Sequence, residues 1–254
     1  MVHGNPTWSY YFRHLVCQLS LRYRVIVPDH IGCGLSDKPQ HYSYCLAQHV
    51  ENLEMLLDHL DISRYSLVVH DWGGAIGMGC AVAAPEKIDR IVVTNSAAFR
   101  SSRIPFRISL CRWPLLGRFL VRGLNAFARG AVVMAVSQKM VKEAAAAYVA
   151  PYDSWRNRVA VSAFIEDIPL GPKDKSYQKL VEIEQGLDGL REHKIPMLII
   201  WGGRDFCFTR HFYDEWRERF PEAEGIYFDD AGHYVLEDKK DAIEPLLARF
   251  FTER

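Results

Sequence analysis

The sequence predicts an α/β fold, a mostly parallel sheet with helices on both faces and an inserted helical cap. Short runs of β-branched residues alternate with segments in which apolar residues recur every three or four positions. This alternation is typical of a parallel sheet that is covered on both faces. It stops within residues 98–192, where the pattern is helical. We therefore predict an α/β core of residues 1–97 and 193–254 and a cap of residues 98–192 over the strand ends, where ligands bind in such folds.

The individual elements follow from local patterns. Strands are predicted at residues 23–27, 66–69, 91–94, 196–201 and 226–228, and helices at residues 46–60, 72–84, 211–220 and from 241 onward. The helix at 46–60, for example, repeats Leu46, Val50 and Leu53 along one face.

The loop beginning at His3 should follow a sheet strand, yet only two residues precede it. Either the start is truncated or misassigned, or the sheet lacks its first strands, and a missing strand beside the site would expose a sheet edge.

Composition narrows the class of function. The chain has 254 residues and a formal net charge of zero, which gives no reason to expect a nucleic-acid partner. Six cysteines are scattered without C-x-x-C spacing, as reduced thiols are, and no run of about 18 apolar residues or leader pattern is visible. These features favour a cytoplasmic protein that acts on a small molecule and has no transmembrane segment.

The most informative segment is the stretch from Leu67 to Ala75, which places Asp71 where a strand turns into a helix. A sharp strand-to-helix turn of the G-x-S-x-G type presents a nucleophile in hydrolases of the α/β class. Here an aspartate replaces the serine, and a carboxylate is ionised at neutral pH and attacks without a base. Val69 stands where the pattern has glycine, so we expect a more crowded turn.

Two further residues complete a predicted triad. Asp205 follows the strand that ends at Trp201, and His233 lies just beyond the next strand. Nucleophile, acid and histidine follow one another in this order in α/β-hydrolases. His233 would deprotonate the water that releases an ester of Asp71, while Asp205 fixes the imidazole tautomer. A solvated loop carboxylate and a structural histidine are the alternatives.

Asn5 and Trp72 are candidates for binding an oxyanion or a leaving group. Both have backbone and side-chain N–H groups beside the predicted nucleophile, and N–H donors stabilise developing negative charge. A turn-capping asparagine and a core tryptophan are the alternatives.

The remaining histidines in strand-end loops are interpreted as structural. Because no histidine and carboxylate group has metal-site spacing, we expect neither a metal nor a cofactor.

These motifs resemble the haloalkane dehalogenase and epoxide hydrolase branch of the α/β-hydrolases along essentially the whole chain. The resemblance rests on His3-Gly4-Asn5-Pro6 and on the Asp71-Trp72 pair. It implies that Asn5 and Trp72 bind a halide in the manner of the dehalogenases. For epoxide opening it implies two cap tyrosines, for which Tyr148 and Tyr152 are candidates, with structural packing as the alternative.

The sequence is more similar still to the β-lactone decarboxylases of bacterial olefin biosynthesis, which overlap the third dehalogenase subgroup. Residues 27–39, 148–158 and 165–170 carry this resemblance. It implies opening of a four-membered lactone with release of carbon dioxide and a cis-alkene. It also implies assembly with thiolase, ligase and reductase partners of hydrocarbon biosynthesis. A monomer and a homo-oligomer are both compatible with the sequence.

The cap contains large apolar residues, among them Phe99, which suit a hydrophobic substrate or equally a packed core. Arginines between them indicate a partner surface, a membrane surface or a solvated face. Lactone decarboxylation is our first hypothesis, followed by haloalkane dehalogenation and then epoxide hydrolysis. A truncated hydrolase-fold binding protein is the non-enzymatic alternative.

Overall fold

A computed structural model describes residues 1–252. Its strands are β1 (Tyr65–Asp71), β2 (Ile88–Ser96), β3 (Met197–Gly202) and β4 (Glu224–Phe228). Its helices are α1 (Arg13–Leu19), α2 (Leu46–His59), α3 (Trp72–Ala83), α4 (Phe106–Cys111), α5 (Pro114–Arg118), α6 (Ala126–Met134), α7 (Lys142–Val149), α8 (Val159–Glu166), α9 (Tyr177–Glu192), α10 (Arg210–Arg219), α11 (Val235–Asp238) and α12 (Lys240–Thr252). The predicted α/β class is confirmed.

The four strands form one parallel sheet in the order β1-β2-β3-β4. Val68 pairs with Val92, and Val92 pairs in turn with Leu198. Because all four strands run in the same direction, their carboxyl ends lie along one edge of the sheet. Asp71, the end of β1, lies on that edge.

Alternate strand residues face two different apolar layers. Val69 and Val93 pack in the cluster that includes residues of α2, α3, α9 and α10, whereas Val68 and Val92 pack with α1, α11 and α12. The strands β1, β2 and β3 thus bury residues on both faces, which explains their apolar runs, whereas β4 at the edge of the sheet is half-buried throughout. The prediction of helices on both faces is confirmed.

The predicted strand at residues 23–27 is wrong. The structure forms no strand at these residues. Val2 forms an isolated bridge to Val69, and the terminal ammonium of Met1 donates to the carbonyl of Ile26 at 2.7 Å. A ladder needs a partner strand with repeated hydrogen bonds, and two residues do not provide one.

Residues 98–192 contain helices α4 to α9 and no strand, as predicted. A small separate cluster that includes Val121, Tyr152 and Ile165 forms within this interval. Helix α9, however, packs against α3 in the main core, so the end of the interval joins the core layer. The division into core and cap at residues 98 and 192 stays a prediction.

Candidate active site

The turn from β1 into α3 holds Asp71 in a backbone conformation that residues other than glycine rarely adopt, with φ 51° and ψ −128°. Close packing around the turn requires glycine at positions 73 and 74, directly after Trp72. A Cβ atom on Gly73 would lie 2.0 Å from the carbonyl oxygen of Val2, and one on Gly74 would lie 1.7 Å from Oγ of Ser96. The segment is therefore built to present the side chain at position 71.

Val69 does not crowd this turn, contrary to the expectation from the sequence. Its side chain is fully buried and points toward α3, where Gly77 leaves room for it. A Cβ atom on Gly77 would approach Cγ1 of Val69 to 2.7 Å. The extra volume of valine is thus compensated one helical turn into α3.

Two backbone amides hold the Asp71 carboxylate. The amide of Asn5 donates to Oδ1 at 2.7 Å, and the amide of Trp72 also hydrogen-bonds to this carboxylate. Gly4 allows the loop to approach, because a Cβ atom there would lie 2.0 Å from Oδ1. Two preorganised N–H groups thus orient the carboxylate.

Two histidines fix the loop that supplies the Asn5 amide. His3 accepts the backbone N–H of His30 at Nε2 and therefore donates from Nδ1 to the carbonyl of Gly4, at 2.7 Å. The ring of His30 lies 2.9 Å from the carbonyl of His3 and donates to it. Burial lowers the pKa of His3 to about 4, so the ring is neutral. These contacts agree with the structural interpretation of both histidines.

The structure brings Asp71, Asp205 and His233 together. Nδ1 of His233 lies 2.7 Å from Oδ2 of Asp205, and Nε2 of His233 lies 3.6 Å from Oδ2 of Asp71. Asn95 donates to Oδ2 of Asp205 at 2.9 Å, and the backbone N–H of Cys207 donates to Oδ1 at 2.6 Å. Asp205 is thus fixed on both oxygens and orients the imidazole.

The buried charges shift two pKa values upward. Burial raises the pKa of Asp71, against the opposing effects of His233 and the backbone amides of Asn5 and Trp72. Burial alone lowers the pKa of His233, but the carboxylates of Asp205 and Asp71 outweigh it and raise the pKa above the ordinary value. The imidazole therefore holds a proton more readily than an exposed histidine.

An apolar cavity of about 330 Å³ opens in front of Asp71. This volume lies in the range of small-molecule sites. Asn5, Trp72 and His233 line it together with Phe99, as the sequence predicted for a pocket. The Asn5 side chain donates one of its two N–H groups to the carbonyl of Val161, at 3.2 Å, which leaves a second donor. Among residues 1–252 no cluster of three His, Cys, Asp or Glu side chains has the geometry of a metal site.

Tyr148 and Tyr152 do not line this cavity, so their assignment to the pocket is corrected. Tyr148 is buried and donates to Oε1 of Glu237 at 2.5 Å. Tyr152 is buried in the cap cluster, and its hydroxyl lies 3.4 Å from the carbonyl of Thr7. Both tyrosines satisfy their hydroxyls away from the reacting group.

Several cavity residues were not predicted from the sequence. Phe206, Cys207 and Phe208 lie directly after Asp205 and line the cavity, and Phe208 stacks on the ring of His233. Their position directly after Asp205, the predicted acid of the triad, could have indicated that they line the site. Asn95, at the end of β2, was also missed. Its place at the carboxyl edge of the sheet, one strand from Asp71, was the signal for it.

Comparison with known proteins assigns the chain to a family. The family model described as the alpha/beta hydrolase fold matches residues 1–240, and the chain belongs to this family. Cis-3-alkyl-4-alkyloxetan-2-one decarboxylases from Shewanella oneidensis and Xanthomonas campestris are 47% and 46% identical to it. The alignments cover all of this chain and 81% and 87% of those proteins.

More distant relatives are named haloalkane dehalogenases. One from Mycobacterium bovis is 26% identical over 99% of this chain and 86% of its own length. Among solved structures, a haloalkane dehalogenase from Bradyrhizobium elkani superposes with a TM-score of 0.89 and 25% identity, covering 98% of this chain and 87% of that one. The predicted resemblance to this branch is confirmed.

Proposed function

We propose that this protein is a decarboxylase of cis-3,4-dialkyl β-lactones that uses Asp71 as its nucleophile. The proposal rests mainly on the carboxylate of Asp71, which is held by the amides of Asn5 and Trp72 while its Oδ2 faces His233 in an apolar cavity. The activity named for relatives that are 46% and 47% identical supplies the substrate class. An apolar cavity suits the alkyl chains of such a lactone.

In the first step, Oδ2 of Asp71 attacks the saturated ring carbon that is bonded to the ring oxygen. A new carbon–oxygen bond forms to Asp71, and the old one breaks with its electron pair going to the ring oxygen. That oxygen becomes part of a free carboxylate. The product is an alkyl ester of Asp71 with a carboxylate on the neighbouring carbon. Relief of four-membered ring strain favours this opening.

In the second step, the ester collapses without water. The bond to the carboxylate carbon breaks, its electron pair forms the double bond, and carbon dioxide leaves. The bond to Asp71 breaks with its pair returning to the carboxylate, which regenerates the enzyme. Inversion in the first step followed by anti elimination in the second converts a cis-lactone into a cis-alkene. No oxidant, reductant or proton is consumed.

His233 acts here in its protonated form. Asp205 and Asp71 raise its pKa, and its Nε2–H faces the oxygen of Asp71 on which negative charge returns in the second step. The proton stabilises that charge and makes Asp71 a better leaving group. Asn5 and Trp72 line the same cavity and offer N–H donors to the carboxylate released in the first step. Asp205 keeps the imidazole oriented.

The test is incubation of the purified protein with a synthetic cis-3,4-dialkyl β-lactone. Gas chromatography should show cis-alkene and carbon dioxide in equal amounts. Production of a trans-alkene would contradict the inversion and anti elimination, and production of a β-hydroxy acid would show hydrolysis instead.

Haloalkane dehalogenation is the second candidate, because relatives such as the one from Mycobacterium bovis carry that name. It shares the attack by Asp71 but needs water, deprotonated by neutral His233, to cleave the ester at the carbonyl carbon of Asp71. In ¹⁸O-water this route inserts label into Asp71, whereas the lactone route does not. Mass spectrometry of the peptide that contains Asp71, after turnover of a bromoalkane or of the lactone, separates the two.

Epoxide hydrolysis ranks below both, since Tyr148 and Tyr152 do not reach the cavity. A non-catalytic binding protein would not need three groups at these distances.

We further propose a cytoplasmic location, supported by six free cysteines. Assembly with other enzymes of hydrocarbon biosynthesis is proposed from the family resemblance alone. Among residues 1–252 no helix has the length and apolar character needed to cross a bilayer.

A further inference from the structure

Charge is distributed unevenly along this chain. Its formal net charge is zero, yet no aspartate or glutamate occurs between Arg90 and Lys142. Seven arginines and one lysine lie within this stretch, at positions 100, 103, 107, 112, 118, 122, 129 and 139. The helices α4, α5 and α6 belong to it. This part of the cap is therefore strongly basic, and the excess of negative charge lies elsewhere.

These helices and the residues that flank α5 expose large apolar side chains. Leu115 is 87% exposed, and Phe106, Trp113, Phe119 and Val133 are also more than half exposed. Together with Arg103, Arg107 and Arg129 we call these residues the cap surface. Within residues 1–252 these three arginines have no acidic side chain within 4.0 Å. Clustered exposed apolar groups of this kind mark an interaction site.

The cap surface includes residues at the opening of the active-site cavity. Arg103, Arg107 and Met134 are exposed and also line the cavity, so they lie at its mouth. Arg107 contacts the sulfur of Met134 at 3.2 Å and thereby connects α4 with α6 across this opening. A molecule leaving the cavity therefore emerges among exposed arginines and apolar side chains.

We propose that the cap surface docks on the surface of an anionic lipid bilayer and exchanges substrate and product directly with it. Aromatic and aliphatic side chains insert among the acyl chains, while arginines pair with lipid phosphates. Arginine supports this contact better than lysine because its guanidinium binds phosphate with two hydrogen bonds. The transfer of substrate rests on the proposed function, because a dialkyl lactone and its alkene partition into a bilayer. An acidic protein partner would use the charges, but it would have no reason to contact the mouth of the cavity.

Binding is tested first without substrate, by flotation with vesicles of phosphatidylcholine alone or mixed equally with phosphatidylglycerol. The full chain should bind the anionic vesicles at least about tenfold more tightly than the neutral ones, and about 0.5 M salt should weaken this binding. The variant Leu115→Ser/Phe119→Ser should bind at least about fivefold more weakly. Its matched control, Leu21→Ser/Met55→Ser, removes two exposed apolar residues outside the cap and should bind as the wild type does.

Equal binding by the two double variants, or no preference for anionic vesicles, would overturn the proposal. The proposal would also be overturned if this protein bound an acidic protein partner and did not bind vesicles of either composition.

Activity separates this inference from the proposed function. The cap variant should lose rate on a long-chain lactone held in anionic vesicles but keep the wild-type rate on a short-chain, water-soluble lactone. Leu115 and Phe119 lie outside the cavity, so the chemistry is untouched. Lack of activity of the wild type on both lactones would contradict the proposed function and leave the vesicle result standing. Equal loss of rate on both lactones would overturn the docking role.

Discussion

The side-chain amide of Asn95 donates a hydrogen bond to Oδ2 of Asp205, the same oxygen that contacts the ring of His233. Asn95 is fully buried, at the end of β2, and has a positive φ of 32°. Its amide also bonds both backbone groups of Gly202, at 2.8 and 3.1 Å. It thus joins β2 to β3 and positions the acid that orients His233.

Asn95→Ala is expected to lower turnover about tenfold, because a hydrogen bond to a charged group is lost. Without this donor the Asp205 carboxylate attracts the imidazolium more strongly, so the pKa of His233 should rise further. The measurement is the pH profile of kcat together with the melting temperature. A purely structural role for Asn95 would lower the melting temperature and leave the pH profile unmoved.

The contact between Val69 and Gly77 predicts a coupled pair. Gly77→Ala should destabilise the fold by about 1–3 kcal/mol, because the new methyl group overlaps Val69. In the double variant with Val69→Ala, this penalty should largely disappear. Urea unfolding measures both. Gly189→Ala is the control, since no atom lies within 4 Å of the added methyl in α9, and it should stabilise by about 0.5–1 kcal/mol. Additive effects at positions 69 and 77 would argue against the contact.

The two candidate reactions should respond to pH in opposite directions. The lactone route needs protonated His233, so its rate falls as pH rises through the raised pKa of that residue. Bromoalkane hydrolysis needs neutral His233, so its rate rises over the same interval. Both need ionised Asp71, whose raised pKa places the acid-side loss above that of an exposed aspartate. Rate profiles with both substrates test this, and parallel profiles would refute the two roles of His233.

The sequence predicted the parts of this molecule that local patterns determine. Strand and helix types, the position of Asp71 and the order of Asp205 and His233 follow from periodicity and turn chemistry over a few residues. The segment at 23–27 has the composition of a strand, but pairing depends on a neighbour that local sequence does not reveal. The compensation of Val69 by Gly77 was equally invisible, because it joins a strand to the helix beyond it.

The cavity walls were harder to predict. Tyr148 and Tyr152 have the residue type that epoxide opening requires, yet their direction depends on how the cap helices pack. Glu237 and the carbonyl of Thr7 attract their hydroxyls away from the site. Cys207 lines the site because it closely follows Asp205 in the chain, and no sequence motif indicates this position. Side-chain direction in a cap of short helices is set by tertiary contacts, which single positions do not encode.

The most direct test of the central claim is the comparison of wild-type protein with Asp71→Asn on a cis-dialkyl β-lactone, with alkene measured by gas chromatography. Asp188→Asn, which changes an exposed carboxylate on α9, is the matched control. We predict alkene from the wild type and the control, and a loss of at least about 10³-fold in Asp71→Asn at an unchanged circular dichroism spectrum. Alkene formation by folded Asp71→Asn at a rate near that of the wild type would contradict nucleophilic attack by Asp71.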